Sequence, residues 1–194
     1  MPRVLIVYAT FDGQTARIAE RVGQSLRRDG HAVTLRGIEA IEVLWEIDTH
    51  DAVIVGGSIR YGRHSPLLEN MVRDRLEDLA QRPGAFYSVC LSAGGPGARP
   101  DVAKGYREEF LRRTGWRPAL DASFAGALLY RRYNPFVRFM MRLIVGAAGG
   151  ETDASRDYEY TDWNAVDRFA ADFAARLLPA HAHRDEDRRV LERL

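Results

Sequence analysis

Six residues near the start of the chain, Thr10-Phe11-Asp12-Gly13-Gln14-Thr15, hold the most chemical promise. Hydroxyl and amide side chains surround one glycine, directly after the apolar run Val4-Leu5-Ile6-Val7-Tyr8 and before a stretch of helical periodicity. A buried strand, a tight turn and a helix start make a cradle for an anion. The first helical turn offers unpaired backbone N–H groups and the positive end of the helix dipole. Thr10 and Thr15 add hydroxyl donors, and Gly13 lets the backbone approach the anion closely. The loop contains neither Lys nor Arg, unlike G-x-x-x-x-G-K-[ST], and it lacks the G-x-G-x-x-G pattern of dinucleotide sites. A single terminal phosphate suits it best. The plainer alternative is a capped helix without a ligand, with Asp12 or Thr10 as N-cap.

The elements that would position this loop alternate along the chain. Residues 4–9 read as a buried strand, and 16–28 as a helix with Ile18, Ala19, Val22 and Leu26 on one face and Gly30 just past its end. Strands are expected at 32–35, 52–57, 85–91 and 123–129, and helices at 65–80, 106–113 and 163–178. Pro66 starts the first of these helices, while Asp162 caps and Pro179 closes the last. Residues 38–51 show no clear period. Apolar strands separated by amphipathic helices imply an α/β, doubly wound parallel sheet of five strands in the order 2-1-3-4-5. Ligands of such sheets sit beyond the carboxyl ends of the strands, at the switch between strands 1 and 3. Three loops leave carboxyl ends there: Thr10 to Thr15, Ser58-Ile59-Arg60-Tyr61-Gly62, and the Gly- and Pro-rich stretch 92–100.

Residues 130–150 break the alternation, at or after the fifth strand. Within them 134–145 reads as a helix. Arg138 and Arg142 share one face, Phe136, Met140, Leu143 and Ile144 fill most of the rest, and Arg131 and Arg132 precede it. Such a helix either docks on the domain's own core or presents an apolar, basic surface to a membrane or a large apolar anion; the width of the apolar arc favours the surface.

Composition narrows the classes. The chain of 194 residues is one domain, expected over 1–178, with a charged tail at 179–194 that reads as a frayed helix or disordered. A net charge of +1 gives no footprint for nucleic acid. Cys90, the single cysteine, lies in an apolar run and reads as a buried, inert thiol. His181 and His183 lack a third ligand nearby, so no metal site is expected. No signal sequence precedes the first strand, and no apolar run reaches the ~20 residues that span a bilayer. The expected location is cytoplasmic, with contact to the inner face of the cell membrane.

With these loops together, the chain resembles the flavodoxin-like FMN proteins and, more narrowly, the bacterial menaquinone-dependent protoporphyrinogen IX dehydrogenases. The likeness runs from about Val4 to Leu178. It rests on the 10–15 and 58–62 loops, Ala85-Phe86-Tyr87-Ser88-Val89, Trp116-Arg117-Pro118, Ala125-Gly126-Ala127-Leu128 with Tyr130 and Tyr133, Arg138-Phe139-Met140, Gly149-Gly150-Glu151-Thr152-Asp153 and Tyr160-Thr161-Asp162-Trp163. Asp12, where ordinary flavodoxins carry a third hydroxyl residue, and the basic, aromatic insertion mark the narrower group. Two features depart from it: the Gly-rich run 92–98 and the charged tail.

The resemblance implies an oxidoreductase of haem biosynthesis that takes hydrogen from protoporphyrinogen IX onto FMN and passes electrons to menaquinone or ubiquinone. The FMN phosphate would lie on Thr10, Phe11, Asp12, Gly13, Gln14 and Thr15, with the Asp12 carboxylate turned away to cap backbone N–H groups. Ser58, Ile59, Arg60, Tyr61 and Gly62 would line the flavin ring, with Ile59 or Tyr61 on its face. Leu91, Ser92, Ala93 and Gly94 would reach the pyrimidine edge. Arg131, Arg132, Arg138 and Arg142 would meet carboxylates or lipid phosphates, and Phe136, Phe139 and Met140 the macrocycle or acyl chains. FMN does the redox work, so no catalytic side chain is expected. The alternatives are a flavodoxin-type electron carrier, whose usual strong acidity is missing here, and an NAD(P)H:quinone reductase, for which no second nucleotide loop is evident.

Overall fold

A computed structural model describes residues 1–191 other than 41, 133 and 148; for 44, 137, 141, 144 and 178–191 it describes the backbone alone. Tyr133 and the side chains of His181 and His183 therefore lie outside the described residues. Five strands form one parallel sheet in the order 2-1-3-4-5: β1 (Arg3–Ala9), β2 (Ala32–Gly37), β3 (Ala52–Ser58), β4 (Gly84–Cys90) and β5 (Leu120–Ala125). The expected topology holds. In the central register Ile6 lies between Leu35 and Ile54. Apart from Arg3, Ser58 and Ser88, β1, β3 and β4 are apolar because both sheet faces are covered.

Alternation along each strand splits the core in two. Val4, Ile6, Ile54 and Tyr87 point toward α1 (Gln14–Arg28) and α7 (Trp163–Leu191), meeting Ile18, Val22, Phe169 and Phe173. Leu5, Val7, Val55 and Phe86 point to the other face, which α2 (Val43–Thr49), α3 (Pro66–Asp74), α4 (Leu76–Ala80) and α5 (Pro100–Thr114) cover with Ile47, Leu68, Leu79 and Phe110. Cys90 is buried and its thiol pKa is pushed up by that burial, as an inert thiol requires.

Several local expectations are corrected. The stretch without period contains α2, in which Val43 and Ile47 alone are buried among the described side chains, too few for a period to emerge. The single helix expected at 65–80 is two, broken at Arg75, whose guanidinium is held by Asp48 and Asp78. α5 starts at Pro100 rather than 106, with proline in its first turn. The fifth strand stops at Ala125; after Gly126 a short β6 (Ala127–Leu128) pairs antiparallel with β7 (Tyr158–Glu159). The insertion is thus the excursion between β6 and β7, and its helix is α6 (Pro135–Ala147). Asp162 does cap α7, accepting from the Asn164 and Ala165 N–H groups at 2.9 and 3.1 Å. Pro179 does not end α7, which runs to Leu191, and no Gly follows to turn the chain out of the helix.

Candidate functional site

The 10–15 loop leaves β1 and enters α1 without a side-chain cap. The N-cap is Gly13, in the left-handed region at φ 92°, rather than Asp12 or Thr10. Thr10 Oγ1 instead accepts the Gly13 N–H at 3.0 Å, one step outside the helix, and so shapes the turn. The first turn of α1 thus keeps its backbone donors for an anion. Thr15 is 1% exposed, and its Oγ1 has no hydrogen-bond partner among the described residues. A buried hydroxyl without a partner is costly, and a ligand oxygen at this loop would satisfy it. Behind it the buried Tyr87 hydroxyl donates to the Thr15 carbonyl at 3.2 Å. Burial keeps Tyr87 protonated by pushing its pKa up, so this brace holds at any working pH.

The Gln14 side chain turns from the loop: Nε2 donates to Thr161 Oγ1 at 2.8 Å and to Glu159 Oε1 at 3.1 Å. Arg17 donates to both Gln14 Oε1 and Glu159. Burial raises the Glu159 pKa, but the bonds from Arg17 and Gln14 outweigh it and hold the carboxyl below its ordinary value. Thr161 continues the chain of bonds to the Ala125 carbonyl at 2.8 Å. The amide therefore ties the loop to the far end of the insertion and leaves only its backbone N–H for an anion. Arg17, Glu159 and Thr161 were not marked by sequence spacing, because they meet Gln14 only across the fold.

The second loop folds over the first. Arg60 and Arg63 exchange backbone hydrogen bonds of 2.9 and 3.1 Å around Tyr61 at φ 50° and Gly62 at φ 75°. Positive φ at both central residues defines a type I′ turn, for which Gly62 is suited and Tyr61 is not. Tyr61 is the one non-glycine residue at positive φ among the described residues, and it is 86% exposed. Strain of order 1–3 kcal/mol is thus spent to hold an aromatic ring out in solvent at the rim of the crevice. The Arg60 guanidinium lies over the Phe11 ring, joining the two loops. Ser58 Oγ donates to the Ala9 carbonyl at 3.3 Å, and the Ile59 N–H to Val89 at 2.9 Å, so the ends of β1, β3 and β4 are drawn together.

The third loop opens as a short 3-10 turn, Leu91–Ala93, and its glycines serve packing. A Cβ on Gly94 would meet Ala125 at 2.9 Å, and one on Gly95, at φ 88°, would meet the Tyr160 ring at 2.7 Å. The Gly-rich departure in this loop thus lets it lie flat against Tyr160.

Beneath the Arg60–Arg63 turn sits His64, which sequence pattern did not mark. It is buried against Phe86 and Phe110, with Nε2 3.0 Å from Ser88 Oγ. Burial pushes its pKa down to about 4. The unfolded chain protonates His64 below about pH 6.5, whereas the fold refuses that proton until about 4. Stability from the neutral ring is therefore complete above about 6.5 and falls by about 3 kcal/mol as pH drops to about 4. Urea melts across this window should show that slope, and His64→Gln should flatten it. An unchanged slope in the variant rules out His64 as its source.

The insertion is partly docked and partly bare. The 3-10 turn Tyr130–Arg132 buries Tyr130, whose hydroxyl donates to the Glu151 carbonyl at 2.7 Å. Val145 of α6 packs with Leu128 and Tyr130. Phe136 is 72% exposed and Phe139 58%, and Met140 and Leu143 stand out beside them. At i, i+3, i+4 and i+7 these four form one unpartnered apolar face. The four arginines separate. Arg131 pairs with Asp157, and Arg138 Nε donates to the Tyr130 carbonyl at 2.9 Å. Arg132 reaches back to the 10–15 loop, its Nη1 3.4 Å from the Asp12 carbonyl. Arg142 is exposed; Asp153 is held low, first by hydrogen bonds from Ser155 and then by the charges of Arg156 and, last, Arg142.

Comparison with known proteins follows this geometry. Residues 5–155 match the family model described as flavodoxin domain. "Protoporphyrinogen IX dehydrogenase [quinone]" of Escherichia coli strain K12 is 39% identical over 173 residues, 89% of this chain and 94% of that protein. The protein of the same name from Leishmania major is 36% identical over 178 residues, 90% of this chain and 75% of its own length. Among solved structures, oxidised flavodoxin 2 from Bacillus cereus superposes with a TM-score of 0.54 at 22% identity, over 90% of this chain and 99% of that one. A flavodoxin from the domain Archaea gives 0.50 at 18% identity, over 90% and 97%.

Proposed function

This chain belongs to the flavodoxin-domain family, and from that premise we propose that it is an FMN-dependent oxidoreductase that dehydrogenates protoporphyrinogen IX and delivers the electrons to a quinone. The observation that carries this is 39% identity, over nearly the full length of both chains, to the Escherichia coli relative of that name. The residues fit the cofactor: Thr15 Oγ1 and the first-turn N–H groups of α1 suit one terminal phosphate, and the crevice lies at the β1/β3 switch.

FMN supplies the two-electron chemistry that links a porphyrinogen donor to a quinone acceptor. The chain's own part is to bind, orient and exclude water. Thr15 and the α1 N-terminus would hold the phosphate, and Tyr87 fixes the carbonyl behind Thr15. Tyr61 and Ile59 would stand against the ring as its outer wall and Leu91 to Gly94 would border the pyrimidine edge, while Arg60 on Phe11 joins the two loops. The bare face of α6, with Arg142 beside it, receives either the apolar macrocycle and its propionates or the inner face of the cell membrane, where menaquinone is the acceptor.

Apo-protein should bind FMN in a 1:1 titration, and changing Thr10 and Thr15 to Ala should weaken that at least about tenfold. Under anaerobic mixing, protoporphyrinogen IX should bleach the bound flavin and a menaquinone analogue restore its colour. Flavin that stays oxidised with excess porphyrinogen overturns the enzyme reading in favour of a carrier.

A further inference from the structure

We propose that Arg132, although it belongs to the insertion, closes the phosphate cradle and supplies the positive charge that the Thr10–Thr15 loop lacks, a role that rests on the FMN reading above. Within the loop itself the one ionisable side chain is Asp12. A phosphate monoester carries about −1.5 to −2 at neutral pH, so loop and ligand alone would set like charges close together. The fold brings a cation from 120 residues away: Arg132 Nη1 lies 3.4 Å from the Asp12 carbonyl and 3.5 Å from where a Cβ on Gly13 would stand.

The backbone beneath this arginine is well held. The Arg132 N–H donates to the Leu129 carbonyl at 2.9 Å, and the neighbouring Tyr130 is buried and bonded to Glu151. Arg131 leaves in another direction to Asp157, so the two adjacent arginines are not equivalent. The partner Arg132 has in the loop is a neutral carbonyl at long distance, which takes one of its five N–H donors. A planar guanidinium with donors to spare, poised over a helix N-terminus, matches the fork geometry of a phosphate. Arg132 is thus assigned to the cofactor rather than to substrate or lipid.

Quenching of flavin fluorescence on titration into apo-protein reads this directly, using FMN and riboflavin, which lacks the phosphate. Arg132→Ala should weaken FMN about ten- to hundredfold and riboflavin less than about twofold. Arg132→Lys should fall between, since a point charge keeps attraction but not the fork. FMN affinity of the parent should also fall with salt more steeply than that of Arg132→Ala. FMN affinity within twofold of the parent in Arg132→Ala overturns the proposal, as does an equal loss for both flavins, which would place the effect on the fold or the ring. A parent protein that binds riboflavin and FMN equally overturns it too, and a parent that binds neither overturns the FMN reading itself.

Discussion

Gly56→Ala is expected to destabilise the protein by more than about 3 kcal/mol or to prevent folding. Gly56 lies in the middle of β3 opposite Tyr87 on β4, and a methyl group there would overlap the Tyr87 ring, with Cε1 at 2.6 Å. The ring cannot retreat: it is fully buried and packs edge-on to Phe169 and tilted against Phe124. Displacing it also breaks the hydroxyl's bond to the Thr15 carbonyl, so the phosphate loop loses its brace and FMN affinity should fall with stability. Tyr87→Phe separates the two effects, removing the bond at a cost of about 1 kcal/mol while leaving the ring in place. Urea unfolding of the three proteins decides it. A Gly56→Ala protein within about 0.5 kcal/mol of the parent would show that the sheet yields there, against the close packing described.

Phe136→Glu combined with Phe139→Glu should reduce binding to anionic vesicles at least about hundredfold. Each phenylalanine buried in the acyl region contributes about 1.5–3 kcal/mol, and each new carboxylate adds repulsion from anionic lipid. Both side chains are exposed on the bare face of α6, so the fold and the FMN titration should be unchanged. Co-sedimentation with vesicles containing phosphatidylglycerol measures the first effect. Turnover should fall with a quinone embedded in the vesicles and persist with a water-soluble quinone. If the double variant sediments like the parent, α6 does not mediate membrane contact, and its bare face is left to the macrocycle.

The two surfaces meet at one turn. Arg132 reaches the phosphate loop from the residues that introduce α6, and Gln14 reaches Thr161 just after β7. The insertion is therefore tied to the flavin crevice at both of its ends. Replacing it by a linker would remove the proposed Arg132 contact together with the apolar face, so point substitutions on α6 are the cleaner probe of membrane or substrate contact.

What the sequence determined alone was the frame and the position of the 10–15 loop proposed as the phosphate cradle. The apolar runs of β1, β3 and β4, covered on both faces, carry their pattern within six or seven residues, and the 10–15 loop is recognisable from its immediate neighbours. From these the order 2-1-3-4-5 and the meeting of three loops at one crevice follow by topology. Short elements escaped, because seven residues of α2 or two of β6 hold too few periods to register. Only the tertiary structure decided which side chains serve the cradle. It turned Gln14 away to Thr161, left the Thr15 hydroxyl buried without a partner, set Tyr61 at a strained φ, and placed Arg132 over a loop in which no cation is written. Each of these depends on groups separated in sequence or on backbone angles that residue type does not dictate. Contacts spanning 120 or 147 residues leave no local period; they exist only once the sheet has brought both segments to the same edge.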